Sequence, residues 1–277
     1  MSGTLYLVAT PIGNRGDLSP RAVETLSAVD FIAAEDTRVS LKLLNHFQIK
    51  KSLVSYHEHN AVSAGQEVLG RLLAGESCAL VTDAGTPAIS DPGEMLVRLC
   101  GEHGVEVLSI PGCCAAVNAL AVSGLPTGRF TFEGFLSVNK RSRREHLESL
   151  RNETRTMIFH EAPHKLRPTL ADFCQVFGPE RRIALCRELT KLHEEVLRTT
   201  LGEAAERYKT EEPRGEFVLV VEGAAPAKEE ATLEDGLDRM EALLAEGLSR
   251  KDAVKQAAKE LGLSRNELYA AALERRK

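Results

Sequence analysis

The sequence predicts an α/β protein with two α/β domains, the first on a parallel sheet and the second on a mixed one, and a small C-terminal helical domain. Three observations predict it. Over 1–123, short β-rich runs alternate with amphipathic stretches of helical period, the pattern of βαβ units around a mainly parallel sheet. Over 124–225, strands succeed one another with fewer helices between them, so that sheet is mixed. Over 233–277 the pattern is helical throughout.

In order, the first-domain strands are "TLYLVAT" (4–10), "FIAAE" (31–35), "SLVSYH" (52–57), "SCALVTD" (77–83) and "VEVLSI" (105–110). Helices are expected near 19–29, 38–47, 61–74, 92–103 and 113–123. "SGLPTGR" (123–129) then punctuates the chain as a linker does. The second series has strands at 129–136, 154–161, 182–189, 195–201 and 216–223, with helices near 141–152, 164–176 and 202–209. "GAAPAKEEAT" (223–232) reads as a linker of small and charged residues. The tail reads as helices over 233–246, 249–261 and 264–275. Its last two join at "LGLS", with Ser264 as N-cap, in the manner of a helix-turn-helix.

Composition narrows the function classes. The 277 residues are 43% hydrophobic and 27% charged with a net charge of −5, so a polyanion would have to meet a local basic surface. Six cysteines show no C-x-x-C spacing, which fits reduced thiols in a cytoplasm better than a disulfide or zinc framework. "MSGTLYLVATPIGN" lacks a basic leader region and reads as a strand, not a signal peptide, and no run approaches membrane-spanning length.

In open α/β sheets, ligands bind beyond the carboxyl ends of the strands. The five segments after the first-domain strands are "TPIGNRGD", "AEDTR", "HEHN", "DAGTPAISDPG" and "PGCCAA". All carry residues suited to ligand contact, so one rim of the sheet is decorated throughout. In the fourth, Gly85 frees a backbone position, Pro87 and Pro92 fix theirs, and Asp83 and Asp91 set carboxylates at the two ends. There is no G-x-G-x-x-G after the first strand and no G-x-x-x-x-G-K-[ST], which removes support for dinucleotide and P-loop readings. "GNRG" (13–16) matches the loop of a small RNA-clamping module, but it follows a strand of a much larger βαβ series. His57 and His59 lack a third His or Cys at metal-ligand spacing, so "HEHN" reads as a polar loop and no metal is expected.

Eight blocks carry a family resemblance: "VATPIGNRGDLSPRAVETL", "IAAEDTR", "HEHN", "DAGTPAISDPG", "SGLPTGRFTFEGFL", "FHEAPHK", "RELTK" and "GEFVLVVEG". In this order, over nearly the whole chain, they resemble the bacterial 16S rRNA cytidine 2′-O-methyltransferases of the tetrapyrrole methylase-like superfamily. Two departures are visible. "PGCCAA" replaces the commoner Pro-Gly-Pro-Ser-Ala, so Cys114 lacks a serine hydroxyl, and Lys165 stands where Arg is frequent.

The resemblance implies S-adenosylmethionine folded into a cleft between two α/β domains, a homodimer, no metal for the transfer, and a decoding-centre cytidine of 16S rRNA, within the small ribosomal subunit, as substrate. It sets Asp83, Gly85, Thr86, Pro87 and Ala88 along the cofactor and Pro11 and Ile12 at one side. It brings Cys114 and Ala115 at a helix start, and Glu161, Ala162 and Val221 from the second domain. Amides at a helix start suit a carboxylate or an adenine edge, and Asp83 suits ribose hydroxyls or the methionine ammonium.

Methyl transfer to a ribose hydroxyl also needs a proton acceptor, which typically contributes about 10²–10⁴-fold. Glu35 and Asp36 rank first, since both lie on the loaded rim; their other role is as ion-pair partners of Arg38. His57, His59 and Glu161 follow, and Lys191 qualifies only with a depressed pKa. RNA phosphates are assigned to Arg38, Lys140, Arg141, Arg143 and Arg144, because the run from Asn139 meets no acid before Glu145. The tail, by its likeness to a helix-turn-helix, either grips rRNA or packs at the dimer, with RNA contact preferred. Two other readings stand beside this one: methylation of a porphyrin-precursor small molecule, and a non-catalytic RNA-binding protein that keeps a cofactor pocket.

Overall fold

The computed structural model describes residues 2–225 and 231–275, so the middle of the linker expected over 223–232 lies outside the described residues. The described chain forms two compact units, Met1–Ala224 and Ala225–Lys277.

In the first unit, β1 (Thr4–Val8), β2 (Phe31–Ala34), β3 (Ser52–Ser55), β4 (Cys78–Val81) and β5 (Glu106–Ile110) form one sheet of order β3-β2-β4-β1-β5. Every pairing in it is parallel. β2 and β4 are buried at every position, as a parallel strand covered on both faces should be. Their side chains alternate between two cores. Phe31, Ala33 and Leu80 face α3 (Ala61–Leu73) and α4 (Glu94–Glu102). Ile32, Ala34 and Val81 face α1 (Pro20–Ala28) and α2 (Thr37–His46). The chain therefore leaves β1 and β4 toward opposite faces, which opens a crevice between their carboxyl ends.

β6 (Phe130–Phe135), β7 (Thr156–Glu161), β8 (Arg182–Arg187), β9 (Glu195–Thr200) and β10 (Phe217–Val221) form the second sheet, of order β6-β7-β10-β8-β9. Only β6 and β7 run parallel; the other pairings are antiparallel. The mixed sheet expected from the sequence is present. One face is covered by α6 (Lys140–Ser149), α7 (Pro163–Phe177) and α8 (Leu201–Thr210). The other receives α5 (Ala115–Ser123), whose Ala116, Ala119 and Leu120 pack on Ile158, Ala184, Val218 and Val220. α5 thus ends the first βαβ series in sequence yet seats the second sheet, and Ile12 packs into the same seam.

β6 carries an irregularity. Phe132 pairs with Ile158, but Gly134 pairs with Phe159, so two residues oppose one. Gly134 has φ +62°, which a side chain disfavours.

The second unit packs α9 (Leu233–Ala245), α10 (Arg250–Leu261) and α11 (Arg265–Glu274) around Leu237, Leu243, Val254 and Leu268. Gly262 caps α10 in the left-handed conformation, and the Ser264 hydroxyl accepts from the Glu267 amide as N-cap of α11. Among the described residues, no helix is long and apolar enough to cross a membrane.

Candidate active site

Three loops at the carboxyl rim of the first sheet are laced together. Thr10 and Gly85 exchange backbone hydrogen bonds, at 2.8 and 3.1 Å. The Thr10 hydroxyl donates to the Thr82 carbonyl (3.0 Å), and the Thr86 hydroxyl donates to the Cys113 carbonyl (2.9 Å). Gly85 holds φ +91° at this crossing. Further along the same loop Ala88 and Ser90, both bearing side chains, sit at φ +68° and +64°. Each costs on the order of 1 kcal/mol or more, and such strain gathers where a backbone is held for a function.

This rim meets the second sheet around a cavity of about 470 Å³, within the roughly 300–1,000 Å³ of small-molecule sites. Four of the five loops reach it: Ile12 follows β1, Glu35 follows β2, Asp83 and Asp91 follow β4, and Ala115 opens α5. From the second sheet come His160 and Glu161 at the end of β7 with Ala162 just beyond it, Lys191 from the loop after β8, and Glu216 and Val218 at the start of β10. The third loop does not line it. β3 is the edge strand, so His57 and His59 are carried away from the crevice, and the exposed His59 ring lies against Glu58.

The carboxylates converge at the rim. Glu35 Oε2 accepts from the Thr82 hydroxyl (2.6 Å) and the Asp83 amide (3.3 Å). Burial pushes the Asp91 carboxyl up to about 6, with the Glu35 and Asp83 charges adding to the rise against the lowering effect of the nearby Thr82 hydroxyl. Asp83 is raised as well, by partial burial and then by the Glu35 and Asp36 charges, against the Asp36 amide that it accepts. On the opposite wall, the buried Nε2 of His160 has no hydrogen-bond partner among the described residues, and burial lowers the pKa of the ring.

Several residues sit otherwise than the sequence reading expected. Asp36 turns from the cavity and chelates Arg38 through 2.7 and 3.0 Å contacts, which hold its carboxyl down at about 2. Arg38 is the partner expected for the acid pair, but it pairs with Asp36 and not Glu35. Lys191 does not meet its condition. Burial works to lower its pKa, but ion pairs with Glu188 (2.8 Å) and Glu216 (3.0 Å) outweigh this and raise it. Glu161 is buried with both oxygens engaged, by the Thr169 hydroxyl and the Ala162 amide (2.9 Å), so it organises the start of α7. Val221 points into the core against α7 and α8; strand alternation gives the cavity Val218 instead. Pro11 lines a smaller neighbouring pocket with Arg15 and Lys42. Gly85, Thr86, Pro87, Ala88 and Cys114 are not among the residues that line the cavity; from the loop after β4, Asp83, Ala84, Ile89, Ser90 and Asp91 do.

Asp91, His160, Glu216 and Phe135 line the cavity without having been assigned to it from the sequence. Asp91 had a signal, as the second acid of a loop already singled out. His160 had a weaker one, since strand alternation in "TMIFHE" places it on the face of Ile158.

The basic run lies elsewhere. Lys140, Arg143, Arg144 and Lys165 line a second cavity, also about 470 Å³, between α6 and α7. Arg143 is largely buried, bonded to Asp172 (2.5 Å) and the Thr169 hydroxyl (2.9 Å), so it builds the groove instead of offering a free charge. Arg141 is exposed and pairs with Glu145 one turn on (2.7 Å). Lys140 and Arg144 remain exposed.

Comparison with known proteins places this architecture. Residues 4–205 match the family model described as Tetrapyrrole (Corrin/Porphyrin) Methylases, and residues 230–276 match that of the RsmI C-terminal HTH domain. Ribosomal RNA small subunit methyltransferase I of Synechocystis sp. is 52% identical over 98% of this chain and 98% of its own. The protein of that name from Escherichia coli O157:H7 is 46% identical over 98% of this chain and 95% of its own. The one from Bacillus subtilis is 42% identical over 97% and 94%. Among solved structures, uroporphyrin-III C-methyl transferase from Thermus thermophilus, complexed with S-adenyl homocysteine, aligns with a TM-score of 0.54. It shares 20% identity over 79% of this chain and 97% of its own. A diphthine synthase aligns at 0.60 with 14% identity, over 80% and 90%. These structures share the fold.

Proposed function

The chain belongs to the tetrapyrrole methylases and, within them, to the ribosomal RNA small subunit methyltransferase I family; from that premise we propose that it transfers a methyl group from S-adenosylmethionine to the ribose 2′-hydroxyl of a decoding-centre cytidine in 16S rRNA. The observation that carries the reading is the cleft. Four loops of the first sheet and residues of β6, β7, β8 and β10 in the second surround one cavity with apolar walls, a carboxylate cluster at one end and, opposite, a ring nitrogen without a partner among the described residues.

The residues present fit the cofactor. Ile12, Ala84, Ala115 and Ala162 offer apolar surface, and Asp83 suits ribose hydroxyls or an ammonium group. Cys114 opens α5 without a side-chain cap bond, so the first amides of that helix stay available to an acceptor. When bound, S-adenosylmethionine supplies a methyl carbon on a sulfonium, which a hydroxyl oxygen must approach in line. The protein's own work is to hold that approach, worth several orders of magnitude, and to take the hydroxyl proton. Asp91 suits the second task. Its carboxyl titrates near 6, so at neutral pH it is ionised yet basic enough to accept. Glu35 supports it by contributing negative charge, its own oxygen held by Thr82.

The exposed cations of the α6–α7 groove, Lys140 and Arg144, supply the phosphate contacts, and the substrate is the rRNA within the small ribosomal subunit in the cytoplasm. The active form is a homodimer, to be checked by light scattering at twice the mass of one chain. The deciding experiment maps ribose methylation in 16S rRNA by mass, in cells lacking and then regaining this chain. One 2′-O-methylcytidine should vanish and return. An unchanged map, or transfer to uroporphyrinogen in its place, overturns the assignment.

A further inference from the structure

We propose that Phe135 is the platform on which the substrate's nucleobase stacks while its ribose enters the cleft; the inference rests on the rRNA reading above. It starts from the bulge in β6. In an unbroken ladder from Phe132 opposite Ile158, Phe135 would fall opposite Glu161 and turn toward α6 and α7. Glu133 does face that way, accepting from the His146 ring of α6 (2.8 Å). Because Glu133 and Gly134 together oppose Phe159, Phe135 falls opposite His160 and turns into the cleft. One extra residue, permitted by Gly134 at φ +62°, reverses the ring's face.

The ring so placed lines the cavity yet is 58% exposed. Its centroid lies 5.4 Å from that of His160, near-perpendicular at 72°, and Phe132 lies 5.2 Å from the same histidine ring at 70°. Phe132 packs into the seam, whereas Phe135 is left with open aromatic surface at the mouth. Among the described residues, Ile89, from the loop after β4, is the other large apolar side chain that is exposed and lines the same cavity. An apolar ring turned by a bulge out of a covered face and into water is poor economy for folding alone.

A nucleotide would use it. A 2′-hydroxyl that reaches the carboxylates at the rim carries its base on the neighbouring carbon of the sugar, toward the mouth. Single-stranded RNA is held by stacking unpaired bases on aromatic rings, which tolerates any base. Phe135 therefore orders the nucleotide, while the groove cations, on the other side of the sheet, are left to phosphates farther along the strand.

The test uses full-length protein, small subunits from cells lacking the enzyme, and the variants F135A, F135L, F135Y and F135W. Methyl transfer to subunits is followed as kcat/KM, S-adenosylmethionine binding as Kd by calorimetry, and folding as Tm. F135A and F135L should each lose about tenfold or more in kcat/KM, with cofactor Kd within twofold and Tm unchanged, since leucine keeps the bulk but not the ring. F135Y and F135W should retain most of it. Wild-type rates in F135A, full activity in F135L, or loss of cofactor affinity would each overturn this role while leaving the rRNA reading standing. Wild-type protein that transfers nothing to subunits overturns both.

Discussion

Two cavities of equal volume lie on opposite sides of the second sheet, and they are built in opposite ways. The α6–α7 groove takes its cations mostly from one contiguous run, and two of them, Lys140 and Arg144, keep their charges in water. The cleft takes its residues from loops far apart in sequence and crowds three carboxylates at its rim, two of them with raised pKa values. Charge placed on a surface costs little and suits a polyanion. At a partly buried rim, desolvation first and the opposition of like charges second raise a carboxyl's pKa, and that is what makes one of them a base. The groove is fitted to hold and the cleft to react.

The largest expected effect tests the reacting side. Asp91→Asn should lower kcat by about 10²–10⁴-fold with cofactor affinity unchanged. In the wild type, kcat/KM should rise with pH through about 6 as Asp91 loses its proton. Glu35→Gln removes a charge that raises Asp91, so the limb should move to lower pH. A limb that stays in place would take Glu35 out of the account.

Next comes the holding side. Lys140→Glu with Arg144→Glu should weaken subunit binding by roughly tenfold or more and flatten the salt dependence by about 0.7–0.9 log units per lost phosphate contact. At saturating subunits kcat should stand. If the groove variants lose kcat while binding normally, the division between the two cavities is broken.

Stability gives a finer test. A carboxyl raised in the folded state favours folding below its unfolded value near 3.8, and that contribution is lost as pH rises through about 6. Asp91→Asn should therefore raise Tm at pH 8, with the difference closing as the pH falls below 4. The smallest effect belongs to Ala88→Gly, which relieves a left-handed alanine and should stabilise by about 1 kcal/mol in urea denaturation. No gain there would mean that the loop is not strained.

The same contrast explains what could be read from the chain. Strands and helices fall within a few residues of their expected places, because periodicity and caps such as Ser19 and Ser264 are local. The basic run was visible for the same reason, although the burial of Arg143 against Asp172 was not, since Asp172 lies on another helix. The rim loops were legible as decorated loops. Which side chains reach the cavity was not. Val218 replaces Val221 by the phase of one strand, Phe135 enters through one extra residue, and Lys191 is held protonated by acids from two segments. Phase, bulges and remote charges are settled by tertiary structure, and local pattern carries no record of them.

The strand order has a consequence for how the molecule is made. β1 leaves the ribosome before every other strand of its sheet, yet its neighbours are β4 and β5. At about 5–20 residues per second, the roughly 70 residues between Val8 and Val81 take about 4–14 s to synthesise. For that interval an apolar strand has no partner on either side. A newborn chain should therefore be most vulnerable to clumping before its fourth strand emerges, and most dependent then on whatever shelters nascent polypeptides.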